Sequence, residues 1–211
     1  MTRGVLIVMA RAPRLGAVKS RLARDIGVLD AWRFYRTTLA ATVRHLRSPN
    51  EWRTVLQITP DRERSTKGQW PKKSAILKQG RGNIGLRMER GLTAFGRGVP
   101  VVLIGSDIPN VTSDHIRSAF KALGHADVVF GPATDGGYWL VGFANRRPIR
   151  HPFTNVRWSS PDALKDTLVN LRQLKAATIS TLSDVDDGNS YACWRYFSRK
   201  RGISSTKLQG V

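Results

Sequence analysis

Apolar and polar positions fall into blocks along this chain, and the period of the blocks alternates. Residues 4–9 (GVLIVM) form an unbroken apolar run, the pattern of a strand buried on both faces. From residue 30 to 47 the apolar positions Phe34, Leu39, Val43 and Leu46 recur at spacings of about three to five, which predicts a helix. Residues 53–59 and 74–78 read as strands. The polar, basic segment between them, 60–73, predicts a loop or a short irregular helix. Residues 83–95 predict an amphipathic helix with Ile84, Met88, Leu92 and Phe95 on one stripe, ended by Gly96 and Gly98. A strand follows over 99–104. Thr112 or Ser113 caps the next helix, which carries Ile116, Ala119, Phe120 and Leu123 and stops at Gly124. Strands at 127–130 and 138–143 flank a loop. Ser160 and Pro161 open a helix with Leu164, Leu168 and Leu171, and residues 177–180 predict a strand. Asp187 or Asn189 opens a last helix with Tyr191, Trp194 and Phe197 on one face.

Strands alternating with helices predict an α/β fold: a mostly parallel sheet with helices on both faces. No linker, repeat or low-complexity stretch interrupts the pattern, so residues 1–211 are expected to form one domain. Ligands of such sheets bind beyond the C-terminal ends of the strands, where strand order reverses. That directs attention to the loops at 10–18, 105–110 and 131–137.

Composition sharpens the picture at three points. No apolar run approaches the length of a membrane span. The N-terminal apolar run is too short for a signal peptide and reads as a strand. The single cysteine, Cys193, excludes an internal disulfide framework and a cysteine-based zinc site, so the expected compartment is the cytoplasm; its helical spacing beside Trp194 predicts a core position. The formal net charge is +20, and residues 1–100 hold 21 of the 35 basic but only 6 of the 15 acidic side chains. Such a field attracts polyanions, whether nucleic acid, anionic lipid or phosphorylated small molecules, or is simply a well-solvated basic surface. The basic residues are scattered, apart from the run at 198–202 (SRKRG), and no zinc-finger spacing or aromatic RNA-binding signature accompanies them.

The first loop, ARAPRLGAVKSRL (residues 10–22), places Arg11, Arg14, Lys19 and Arg21 between a strand and a helix start, either a solvated basic loop or a geometry suited to phosphate. It is neither a P-loop nor a GxGxxG turn. In the second, GSDIP (105–109), Asp107 sits just past a buried strand, where a carboxylate can act as a turn residue or meet Mg2+ or Mn2+ held jointly with substrate phosphates. The third, GPATDGGYWLVG (131–142), presents Asp135 before Gly136 and Gly137. That is a turn signal, yet the loop exceeds what a hairpin needs and two glycines admit a ligand close to the backbone. Other candidates carry less. His45, His115, His125 and His151 lack metal-ligand spacing and read as surface or capping residues. Asp184, Asp186 and Asp187 read as the start of the last helix or a cation site. Trp158 precedes a helix start and lies either there or at the cleft.

Taken in order, APRLGAVKSRL, QGRGNIGLRM (79–88), LIGSDIP, GPATDGGYWLVG, VRWSS (156–160) and SDVDD (183–187) resemble the bacterial selenodomain-associated or arsenosugar-biosynthesis glycosyltransferases. These have the GT-A, nucleotide-diphospho-sugar transferase fold and are similar in outline to cofactor guanylyltransferases. The resemblance spans residues 3–187. It implies that Arg11, Lys19 and Arg21 hold nucleotide phosphates, with Gln79, Gly85 and Arg87 near the nucleotide. Asp107 becomes the metal ligand for Mg2+ or Mn2+. Asp135, Gly136, Gly137 and Tyr138 form the acceptor side, with Trp158 beside them, and Asp135 and Asp107 are the catalytic pair. Asn83 and Leu86 stand where the family usually has carboxylates.

The expected activity is therefore metal-dependent glycosyl transfer from a nucleotide-diphospho-sugar to a small-molecule acceptor. Nucleotidyl transfer from a nucleoside triphosphate, releasing pyrophosphate, is the alternative within the same class. A polyanion-binding or nucleic-acid-binding protein on an inactive transferase scaffold is the rival from another class, motivated by the charge.

Overall fold

A computed structural model describes residues 4–65, 70–71 and 74–200. Seven strands form one sheet: β1 (Gly4–Arg11), β2 (Trp52–Thr59), β3 (Ala75–Lys78), β4 (Val101–Gly105), β5 (Val128–Pro132), β6 (Tyr138–Phe143) and β7 (Ala176–Thr178). Six helices accompany them: α1 (Ser20–Ile26), α2 (Val28–His45), α3 (Ile84–Leu92), α4 (Ser113–Leu123), α5 (Ala163–Asn170) and α6 (Gly188–Lys200). The order across the sheet is β3-β2-β1-β4-β6-β5-β7. Every neighbouring pair is parallel except those made by β6, which runs antiparallel to both β4 and β5.

The alternation within β1 shows how the two layers of core arise. Leu6, Val8 and Ala10 face α2 and α4 and join Tyr35, Leu39, Val43, Ile116 and Ala119. Val5, Ile7 and Met9 face the other way, toward Met88 and Leu92 of α3 and Ala163 of α5. The α/β class, the mostly parallel sheet and the helices on both faces are thus as the periodicity predicts. No helix among the described residues is long and apolar enough to cross a membrane.

Several elements depart from the sequence reading. The helix expected over 30–47 spans Val28–His45 and is preceded by α1; Gly27, at φ 88°, breaks the chain between the two. On α3 the buried stripe is Gly85, Met88, Gly91 and Leu92, whereas Ile84 is exposed. Asn83 is the N-cap, its Oδ1 accepting from Leu86 N at 3.0 Å, so the first turn begins one residue later than the stripe assumed. On α6, Tyr191 and Trp194 pack against Phe34, but Phe197 is exposed and meets Tyr196 instead. Cys193 is exposed, contrary to the core position expected, because that face of α6 turns away from α2. Residues 61–65 form a short 3-10 turn within the segment read as loop or irregular helix. Of the basic run at 198–202, residues 201–202 lie outside the described residues, as do residues 66–69 and 72–73.

Candidate active site

The strand order reverses between β1 and β4: β2 and β3 follow β1 on one side, while β4 opens the other. In parallel sheets this switch point leaves a crevice at the C-terminal edge. The loops leaving β1, β4, β5 and β7 all end at that edge. They carry Lys19, Asp107, Asp135 and the Asp184–Asp186 pair.

Lys19 is held at φ 50° and ψ 49°, a left-handed conformation that costs a non-glycine residue about 1–2 kcal/mol. That bend ends the β1 loop and turns the side chain inward, where it is only 5% exposed. Its Nζ lies 2.8 Å from Asp107 Oδ2 and 3.2 Å from Asp186 Oδ1. Arg21 Nη1 reaches the second oxygen of Asp186 at 3.1 Å. Burial works against the Lys19 charge, but Asp107 and Asp186 together outweigh it and hold the ammonium above its ordinary pKa.

Asp184 completes the cluster. Burial, and then the neighbouring charge of Asp107, push its pKa up to about 6; Asp186 and Asp135 add to the rise and Lys19 opposes it. Asp184 thus lies within reach of carboxylates from two other loops, Asp107 and Asp135, and of Asp186 in its own. Asp184 and Asp186 flank the buried Val185, whereas Asp187 precedes α6, its Oδ1 accepting from Ser190 N at 2.8 Å. Of the run read as either helix start or cation site, Asp187 thus serves the helix start.

Beneath the crevice, Tyr35 of α2 ties the two flanking strands together. Its hydroxyl accepts from Arg11 N at 2.8 Å, donates to Arg11 O at 2.9 Å, and lies 3.2 Å from Ser106 Oγ. Neither Tyr35 nor Ser106 stood out in the sequence. A tyrosine on an otherwise apolar helix stripe was the available signal, since a buried hydroxyl must find a partner.

Residues 42–160 match the family described as "Uncharacterized protein conserved in bacteria (DUF2064)". The chain belongs to that family. A Desulfovibrio desulfuricans G20 protein assigned to the nucleotide-diphospho-sugar transferases is similar at 28% identity and a TM-score of 0.80, over 89% of this chain and 84% of that one. The fold is also that of 4-diphosphocytidyl-2C-methyl-D-erythritol synthase from Anaerococcus prevotii DSM 20548, at 12% identity and TM-score 0.59, over 94% of this chain and 99% of that one. Molybdopterin-guanine dinucleotide biosynthesis protein A from Archaeoglobus fulgidus is similar at 14% identity and TM-score 0.55, over 93% and 99%. No curated protein matches the sequence.

The remaining residues singled out in this DUF2064 chain fall into three groups. Arg11 and Arg21 expose their guanidinium groups at the rim. Gln79, Gly85 and Arg87 lie around the start of α3. The Gln79 amide is buried and donates to Ala10 O at 3.1 Å and Gln57 O at 3.0 Å, which staples β1 and β2. Gly85 is where the 150s loop crosses the helix: a Cβ there would stand 2.6 Å from Phe153 Cβ and 2.8 Å from the Trp158 ring. Arg87 Nε donates to Gly82 O at 2.9 Å and shapes the turn before α3. Asn83 keeps the cap a carboxylate would supply there, and Leu86 is exposed.

The third group is the Asp135–Tyr138 motif with Trp158, expected on the acceptor side. Asp135 Oδ1 accepts from Gly137 N at 2.9 Å, a turn contact that leaves its other oxygen available. Gly136, at φ 86°, lies flat against Pro161 and accepts from Leu164 N at 3.1 Å. Tyr138 and Trp158 belong to the packing layer under α5. The Tyr138 hydroxyl is 3.4 Å from Thr167 Oγ1, and burial raises its pKa so that it stays neutral. Of the histidines, His115 serves the α4 capping box with Thr112.

A hard divalent cation suits the oxygen-only donor set of Asp107, Asp184 and Asp186. Among the described residues, no three such side chains converge closely enough to form a complete metal cage. One or two carboxylates with substrate phosphates and water suffice for Mg2+.

Proposed function

We propose that the chain is a nucleotide-dependent transferase that moves a glycosyl group from a nucleotide-diphospho-sugar to a small hydroxylated acceptor. The observation that carries this reading is the Lys19–Asp107 pair across the switch point, with Asp184 and Asp186 beside it. The similarity to a protein assigned to the nucleotide-diphospho-sugar transferases, and the resemblance to selenodomain-associated glycosyltransferases, support it.

In this mechanism the donor diphosphate lies at the crevice mouth, and Arg11 and Arg21 offer forked donors to its oxygens. Lys19 holds Asp107 and Asp186 in place and tempers their mutual repulsion. Asp107, with Asp186 or Asp184, would hold Mg2+ or Mn2+. When bound, such an ion supplies charge neutralisation at the departing diphosphate. Asp135 orients the acceptor hydroxyl and takes its proton as the new glycosidic bond forms. Tyr35 and Ser106 keep the β1 and β4 loop ends at a fixed separation, so the phosphate-facing and carboxylate-bearing walls stay in register.

The test is a panel of UDP, GDP and CDP sugars and of the triphosphates CTP and GTP, each with and without Mn2+, followed by thermal shift and by product analysis. A metal-dependent rise in Tm with one donor, together with release of the nucleoside diphosphate, supports the proposal. Release of pyrophosphate from a nucleoside triphosphate assigns nucleotidyl transfer instead, the reading that the likeness to the erythritol and molybdopterin proteins favours at the level of fold. Asp107→Asn is expected to abolish turnover with the fold kept, at a stability cost no greater than the loss of its partly exposed ion pair with Lys19. Nucleic-acid binding that is salt-dependent and unaffected by that substitution, with no nucleotide response, would assign the +20 chain to polyanion binding.

A further inference from the structure

We propose a second ligand site, for a small organic phosphate, at the edge of the sheet opposite the candidate active site. Because β6 is antiparallel, its last residue, Phe143, pairs with Val101 and Val128, the first residues of β4 and β5. Residues 144–150 therefore emerge where the parallel strands begin. Residues 171–175, leading from α5 into β7, reach the same edge. A groove of about 570 Å3 lies between these two segments. That is within the roughly 300–1,000 Å3 typical of small-molecule sites.

Its lining includes Arg147, Arg150 and Arg172 and no aspartate or glutamate. Arg147 is anchored: its Nη2 is 2.8 Å from Asp127 Oδ2, and the same carboxylate oxygen accepts from Lys175 N at 3.0 Å, tying the two walls together. Asn170 Nδ2 donates to Pro152 O and Thr154 O and fixes the end of α5. Arg150 and Arg172 are exposed and have no acidic partner among the described residues. The carbonyl end of α5 also faces this edge, but with Arg147 offset by Asp127 a helix terminus still contributes only about half a charge against the two unpaired guanidinium groups. The groove is thus a preformed positive site. Two free guanidinium forks match phosphate oxygens in bidentate geometry. Ile149 and Leu174, half-buried at the edge of the core, give it an apolar floor that inorganic phosphate does not use.

The experiment is a titration of the full chain with phenyl phosphate at fixed ionic strength, read by backbone amide shifts. Saturable shifts centred on residues 147–150 and 171–174 are expected. Arg150→Gln with Arg172→Gln should weaken binding at least about tenfold, and inorganic phosphate should bind several-fold more weakly than phenyl phosphate. Arg44→Gln with Arg47→Gln, which removes the same charge from exposed positions elsewhere, should leave affinity within about twofold. Shifts confined to residues 11–21 and 105–107, or scattered without saturation, would overturn the proposal. So would equal weakening in both double variants, since that marks a diffuse electrostatic effect. Equal affinity for inorganic phosphate overturns the organic part of the assignment. A single-stranded oligonucleotide that binds this face in place of phenyl phosphate transfers it to nucleic acid.

Discussion

Lys19 and Asp107, 88 residues apart in sequence, meet at 2.8 Å across the reversal point of the sheet. The contact joins the loops that leave β1 and β4, the two walls of the crevice. Removing a partner from a fully buried ion pair costs about 3–5 kcal/mol; here the lysine is enclosed but Asp107 and Asp186 are 32% and 41% exposed, which screens much of that. Lys19→Met keeps the stem and removes the charge. Stability is expected to fall by about 1–2 kcal/mol, seen as a lower urea midpoint at unchanged slope. Nucleotide-dependent stabilisation should fall with it, because the two carboxylates then repel each other.

Tyr35 serves the same crevice from below. Its hydroxyl satisfies both backbone groups of Arg11 and approaches Ser106, next to Asp107. Tyr35→Phe leaves those groups without their partner at little change in volume, so the expected cost is about 1–2 kcal/mol. The substitution should also reduce turnover more than donor affinity, since it loosens the register of the walls and removes no phosphate contact. Separate kcat and KM values check this. A stability loss with unchanged kcat would make Tyr35 a packing residue only.

The period of apolar positions was enough to place most strands and helices, because a buried two-sided sheet and its covering helices leave strong, distinct patterns. Where it misled, a local backbone event intervened: Gly27 at positive φ divided one helix into two, and the Asn83 cap shifted the α3 stripe past Ile84. The loop carboxylates Asp107 and Asp135 were visible as residues after strands, but their common neighbour was not. Asp184 and Asp186 come from the far end of the chain and reach the crevice only because β7 pairs with β5. Tyr35 was hidden for a different reason. A tyrosine within a helical apolar stripe looks like any core aromatic until the tertiary partner of its hydroxyl is known.

Gly136 gives a backbone test of the acceptor-side loop. A Cβ at this position would stand 2.2 Å from Pro161 O, which is main chain and cannot swing away, and φ is 86°. Gly136→Ala therefore combines a left-handed penalty of about 1–2 kcal/mol with a clash that separates the loop from the start of α5. A loss above about 2 kcal/mol is expected in denaturant unfolding. Gly16, also at positive φ but with nothing within 4 Å of a Cβ, isolates the first contribution. Gly16→Ala should cost about 1 kcal/mol, and equal losses at both sites would show that the Pro161 contact gives way freely.

Asp184 sets a pH dependence whose sign follows from its surroundings. Burial and the nearby charge of Asp107 raise it from the ordinary 3.8 to about 6, so the folded protein holds its proton more tightly than the unfolded chain does. This group's contribution to stability is therefore greatest in acid, declines as pH rises from about 4 to about 6, and is level above that. Two pH units correspond to nearly 3 kcal/mol for a fully enclosed group; Asp184 is partly exposed, so about 1 kcal/mol is expected. Asp166, which Arg157 holds down to about 2, acts in the opposite sense at lower pH and does not mask the effect. Asp184→Asn should remove the decline between pH 4 and 6 in a series of urea midpoints. A divalent cation in the crevice favours the charged carboxylate, so Mn2+ added near pH 6, where Asp184 is about half protonated, should release up to about half a proton per ion from the wild type and markedly less from Asp184→Asn. Equal proton release from the two proteins would place the cation away from Asp184.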